Sequence, residues 1–233
     1  MWRVLGTALV GGLLLGASGV LAQTPDVAPA VSLKACFECH GPGGVSRIPT
    51  RPTIAGQNAR YVARQLEAFR HAVAARKQDT DADADNAPAQ QNSTRSDPIM
   101  SHAAELVRPA DIPALAAAVS KLSCDGQDAN KDNDKKAPKK IPAMPAAGTA
   151  CVACHGADGI GVSQHTPNLA GQQRSYLRRQ LLLIRETAWG AAPRENESWR
   201  SHPIMERQAA RISIEDVDAL ARFYAALDCR GNP

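Results

Sequence analysis

The second half of the 233-residue chain restates the first. Cys36, Cys39 and His40 recur as Cys151, Cys154 and His155, each 115 positions later. The same offset relates Pro52 to Pro167, Ala55-Gly56-Gln57 to Ala170-Gly171-Gln172, Tyr61 to Tyr176, and Arg64-Gln65-Leu66 to Arg179-Gln180-Leu181. Further along the offset falls to 105: Arg95-Ser96-Asp97-Pro98-Ile99-Met100 answers Arg200-Ser201-His202-Pro203-Ile204-Met205, Leu115 answers Leu220, and Cys124 answers Cys229. A chain that repeats itself in this way folds as two copies of one unit.

The copies set the domain organisation: one domain over 32–124, a charged flexible linker over 125–147 rich in Lys, Asp, Ala and Pro, and a second domain over 148–229. The ten extra residues of the first copy fall within Gln78 to Thr94, a stretch of Asp, Ala, Asn and Gln with little to bury, read as a solvated loop. Within each copy the periodicity is helical. Tyr61, Val62, Leu66, Phe69 and Val73 recur mostly at spacings of three and four, as do Tyr176, Leu177, Leu181 and Ile184. A last helix opens on Ser213 with Asp216 three residues on, then shows Val217, Leu220, Phe223, Tyr224 and Leu227 on one face. Asp111 to Leu122 plays that part in the first copy, with Pro109 or Pro113 tolerated in a first turn. No stretch shows strand alternation, so the expected fold class is all-α.

Residues 1–22 read as a secretory leader: Arg3 supplies the positive start, Leu9 to Leu21 is apolar, and Val20-Leu21-Ala22 offers a small-residue cleavage site, so that the mature chain starts near Gln23. The apolar run falls short of the ~20 residues that span a bilayer. The expected location is the periplasm. The formal net charge of +4 includes Arg3, which leaves with the leader, and gives no support to a nucleic-acid partner.

Cys36-Phe37-Glu38-Cys39-His40 and Cys151-Val152-Ala153-Cys154-His155 both fit the Cys-x-x-Cys-His pattern of c-type haem attachment. Two thiols three residues apart on one helical turn reach the two vinyl groups of one porphyrin, and the adjacent imidazole faces the iron. Zinc knuckles, a thioredoxin-like pair or plain disulfides are the rival readings of such pairs. A His directly after both pairs, at matching points of a duplication, favours two covalently bound haem c groups, with His40 and His155 as axial iron ligands.

Electron transfer calls for a second axial ligand, and Met raises the potential of a c-type haem. Met100 and Met205 occupy matching Pro-Ile-Met blocks and are the expected ligands, whereas Met144 sits in the linker without a counterpart. His71, His102, His165 and His202 are the rivals; His102 and His202 flank the methionines on different sides, so they do not correspond, and all four read as surface or haem-edge residues. Pro52 and Pro167 follow the proximal His by twelve residues, and a backbone carbonyl there can accept the other imidazole N–H. Cys124 and Cys229 lie past each terminal helix. If a two-fold axis relates the domains, the two can meet as a disulfide, against free thiols or intermolecular pairing.

These motifs resemble the two-haem cytochrome c4 family: Cys-x-x-Cys-His followed by Gly, then Pro-x-(Leu/Ile)-Ala-Gly-Gln, Tyr-x-x-x-Gln-Leu, a Met, and a helix of the Asp-Ile-x-Ala-Leu type. His155-Gly156-Ala157-Asp158-Gly159 and Pro167-Asn168-Leu169-Ala170-Gly171-Gln172 are especially close. The lysine-rich linker and the extra cysteine pair depart from that pattern. The resemblance implies two tandem class I cytochrome c domains, each a small helical bundle wrapped around its haem, His/Met ligation in both, and electron delivery toward a terminal oxidase or reductase. Redox proteins are then the partners: a membrane oxidase, a reductase or a dehydrogenase, with any membrane association peripheral and through them. An enzyme, such as a two-haem thiosulfate dehydrogenase or peroxidase, needs an open or unusual sixth position, whereas both halves here offer a Met. A third reading is a haem subunit of a dehydrogenase or oxidase, with Lys135, Lys136, Lys139 and Lys140 docking an acidic partner.

Overall fold

A computed structural model describes residues 32–78, 95–125, 141–192 and 197–229. The expected leader over 1–22, residues 79–94 of the stretch that holds the extra residues and most of the expected linker, with its lysine cluster, lie outside the described residues. In the first half α1 (Leu33–His40) carries the first Cys pair, followed by α2 (Ala59–Gln78), α3 (Pro98–Glu105) and α4 (Ile112–Ser120). The second half repeats the order with α5 (Val152–His155), α6 (Arg174–Ala188), α7 (Pro203–Ala209) and α8 (Ile214–Ala226). In each half the long helix packs on the two that follow it, α2 on α3 and α4, α6 on α7 and α8. Among the described residues no helix is long and apolar enough to cross a membrane.

The helices end where side-chain chemistry ends them. Ser213 caps α8 by accepting the Asp216 amide hydrogen, and Val217, Leu220, Phe223 and Tyr224 then fall on one buried face. Pro113 stands in the first turn of α4, where its missing N–H is no loss. The two cores match position for position: Val107, Ile112 and Leu115 in the first half correspond to Ile212, Val217 and Leu220 in the second. Met144 packs against the second core, near Leu220 and Gly148.

One element departs from the all-helical expectation. β1 (Arg95–Ser96) and β2 (Trp199–Arg200) form a two-residue antiparallel ribbon that joins the halves, Arg95 opposite Arg200 and Ser96 opposite Trp199. Strands this short carry no alternation to read. Around the ribbon the halves meet in reciprocal pairs. Arg95 donates to the Tyr176 hydroxyl at 2.6 Å while its counterpart Arg200 donates to the Tyr61 hydroxyl at 3.0 Å. Such crossed correspondence is what a two-fold axis produces. Cys124 and Cys229 are joined in a disulfide with their Cα atoms 6.1 Å apart, and it lies against Gly56 and Gly171.

Candidate haem-binding site

The backbone after each Cys pair dictates where the histidine sits. Gly41 ends α1 at φ +84 and ψ 164, a conformation that only glycine adopts freely, and a Cβ there would collide with the Val45 carbonyl oxygen. Gly156 ends α5 in the same way. The chain then folds back so that the amides of Ile54 and Ala55 donate to the Gly44 carbonyl, and those of Leu169 and Ala170 to the Gly159 carbonyl. This return brings Pro52 over His40 and Pro167 over His155.

The imidazoles are nearly enclosed, 7% exposed for His40 and 6% for His155. Each uses Nδ1 on a backbone carbonyl, 2.9 Å from Pro52 O and 3.1 Å from Pro167 O. With Nδ1–H as donor, Nε2 keeps its lone pair. Burial pushes both rings below the ordinary histidine pKa, against the opposing pull of the proline carbonyls, and so favours the neutral, metal-ligating form. Burial also raises the Cys36 and Cys151 thiols. Tyr224 stands beside Cys151; burial and that thiol push its hydroxyl well above the usual range.

Among the described residues a continuous cavity of 610 Å³ is lined from both halves. Cys36, Cys39, His40 and Met100 line it from the first half, and Cys151, Cys154, His155 and Met205 from the second. Met100 rides in the first turn of α3, where Asp97 caps the helix by accepting from the Ile99 and Met100 amides at 3.2 and 3.1 Å. Met205 occupies the same place on α7, where the cap is His202 Nδ1, accepting from the Met205 amide at 3.4 Å. Met144 is not on the cavity wall, and neither is His71 or His102. His165 is exposed at its rim and His202 is engaged as a cap.

Two arginines belong to this site that the motifs did not single out. Arg95 is buried and donates to Gln65, Tyr176 and Gln180; Arg200 donates to Gln180 and Tyr61. Both line the cavity, and all these acceptors are neutral. Two guanidinium charges lining the cavity suit the carboxylates of a porphyrin. The signal for them was present in the sequence, since Arg95 and Arg200 recur within matching blocks, but an arginine in a repeat reads equally well as a solvated one.

The cytochrome c family profile matches residues 28–123 and again 143–227. The chain belongs to the cytochrome c family. A tandem cytochrome c of this kind binds two haem c groups covalently and carries electrons, and the donor set fits: each half brings two thiols, one neutral imidazole and one thioether to the same cavity. The chain is 29% identical to a thiosulfate dehydrogenase electron acceptor of Thiomonas intermedia over 97% of its own length and 91% of that protein. It is 26% identical to cytochrome c4 of Pseudomonas aeruginosa over 92% of its length and 95% of the relative. The solved structure of Acidithiobacillus ferrooxidans cytochrome c4 superposes with a TM-score of 0.56 at 23% identity, covering 84% of this cytochrome and 100% of that chain.

Proposed function

We propose that the chain is an exported dihaem carrier that accepts electrons from a dehydrogenase, thiosulfate dehydrogenase being the favoured donor, and passes them toward a terminal oxidase or reductase. Cys36 and Cys39 would hold one haem and Cys151 and Cys154 the other. His40 and Met100 would ligate the first iron and His155 and Met205 the second. When bound, each haem supplies one iron that alternates between ferric and ferrous states. The protein's part is to fix the ligands: Pro52 and Pro167 orient the imidazoles, and the caps on α3 and α7 hold the thioethers. Arg95 and Arg200 would supply positive charge to the carboxylates of a bound porphyrin.

The observation that carries the reading is that both halves bring a methionine as well as a histidine to the shared cavity. Two coordinatively closed irons suit a carrier, whereas an enzyme needs a vacant or labile position. The relative named as an electron acceptor of thiosulfate dehydrogenase supports the choice of donor.

The ferric protein is expected to show the weak band near ~695 nm of Met–iron ligation, and Met100→Ala or Met205→Ala to remove about half of it each. Thiosulfate alone leaves the purified protein oxidised, and adding a thiosulfate dehydrogenase reduces both haems. Thiosulfate turnover by the chain alone, or a high-spin ferric iron at rest, refutes the carrier reading. Export predicts that the mature protein purified from the periplasm begins near Gln23, which N-terminal sequencing checks.

A further inference from the structure

The proximal hydrogen bonds do not stop at the prolines. The carbonyl that accepts from His40 belongs to the Pro52–Thr53 peptide, and the N–H of that same peptide donates to Gln172 Oε1, in the other half, at 2.8 Å. Gln172 Nε2 returns a bond to the Thr53 carbonyl at 2.8 Å. The mirror arrangement is complete: His155 is held by the Pro167 carbonyl, the N–H of the Pro167–Asn168 peptide donates to Gln57 Oε1 at 2.8 Å, and Gln57 Nε2 donates to the Asn168 carbonyl at 2.9 Å. Both glutamines are 8% exposed, so these bonds are made in a buried interface.

An amide whose N–H is engaged becomes a better acceptor at its oxygen, because both hydrogen bonds favour the same charge-separated resonance form. A stronger acceptor at Pro52 O draws the His40 Nδ1 proton closer and makes the imidazole a better donor through Nε2.

We propose that Gln57 and Gln172 are positioning residues that tune the haem of the opposite domain: Gln172 acts on the haem ligated by His40, and Gln57 on the one ligated by His155. The proposal rests on the ligand assignment above. It makes the interface part of the proximal ligand system, so that each half sets the electron affinity of the other.

The test uses the full dihaem protein and the variants Gln172→Met and Gln57→Met, which keep side-chain length and remove both bonds to the opposite domain, together with the one each Oε1 accepts from the next residue's amide, Gln173 or Asn58. Each haem is followed by its own Met methyl resonance in the ferrous state, assigned with Met100→Ala. Gln172→Met is expected to favour reduction of the His40 haem about two- to fivefold. That is about 20–40 mV at ~59 mV per tenfold for one electron. The His155 haem stays unmoved, and Gln57→Met gives the converse. The Nδ1–H proton resonance of the affected histidine moves upfield in the same crossed pattern.

Gln173→Met, which removes an interface bond to the Ser46 carbonyl without touching either relay peptide, leaves both potentials in place. Shifts confined to the variant's own domain, equal shifts in both haems, or none, overturn the relay. A wild-type ferric protein lacking the ~695 nm band overturns the ligand assignment as well; a band present with uncrossed shifts overturns the relay alone.

Discussion

At the scale of single residues, the attachment motif was fully legible because haem chemistry confines its donors to five consecutive positions. The glycine after each motif was legible only as a repeated letter; its reason lies in the return loop. Gly41 and Gly43 separate two causes of strain. Both have positive φ, but a Cβ at Gly43 meets nothing within 4 Å, whereas one at Gly41 collides with the Val45 carbonyl. Gly43→Ala is therefore expected to cost about 1–2 kcal/mol of stability, the intrinsic price of a left-handed residue. Gly41→Ala must also displace the loop that delivers Pro52 to His40. It should lose clearly more stability in thermal unfolding, and a pyridine haemochrome assay should find haem content falling from two per chain toward one.

At the scale of elements, the two methionine helices are alike in sequence and unequal in their caps. Burial alone would raise the pKa of Asp97, but hydrogen bonds from the Ser198 hydroxyl and the Met100 amide outweigh it and hold the carboxylate below its usual range. Asp97 thus ties the first turn of α3 to the other half of the molecule, while on α7 the His202 ring accepts one long bond and Glu206 closes the cap within its own half by accepting the His202 amide hydrogen at 2.8 Å. Asp97→Ala should destabilise the protein by about 1 kcal/mol in denaturant titration, as loss of an N-cap does. Because Met100 sits in the turn that is freed, the same variant should weaken the ~695 nm band while sparing the Met205 share. The capped terminal helix was readable from Ser213, Asp216 and the apolar face behind them. The β1–β2 ribbon was not, because two-residue strands pair through backbone groups contributed by segments 105 positions apart, with no side-chain rhythm to announce them.

At the scale of the whole molecule, the duplication announced two like units but not how firmly they are joined. The crossed bonds of Gln57, Gln172, Arg95 and Arg200 involve polar residues with partners in the other copy, so nothing within one repeat announces them. With those bonds and the β1–β2 ribbon in view, the Cys124–Cys229 disulfide is one tie among several. It links residues 105 apart, and in the chain-entropy account a closed loop of that size contributes about 4–5 kcal/mol by restricting the unfolded ensemble. The double variant Cys124→Ser/Cys229→Ser should therefore unfold at markedly lower denaturant. Its folded state should retain both haem spectra, since none of the cavity-lining donors is altered. The shape of the transition tests the interface itself. If the hydrogen-bonded contacts couple the halves, the variant still unfolds in one cooperative step with both haem signals moving together. Two separated transitions, one per haem, would mean that the disulfide alone holds the halves in register, and a relay running through Gln57 and Gln172 could not then survive its reduction.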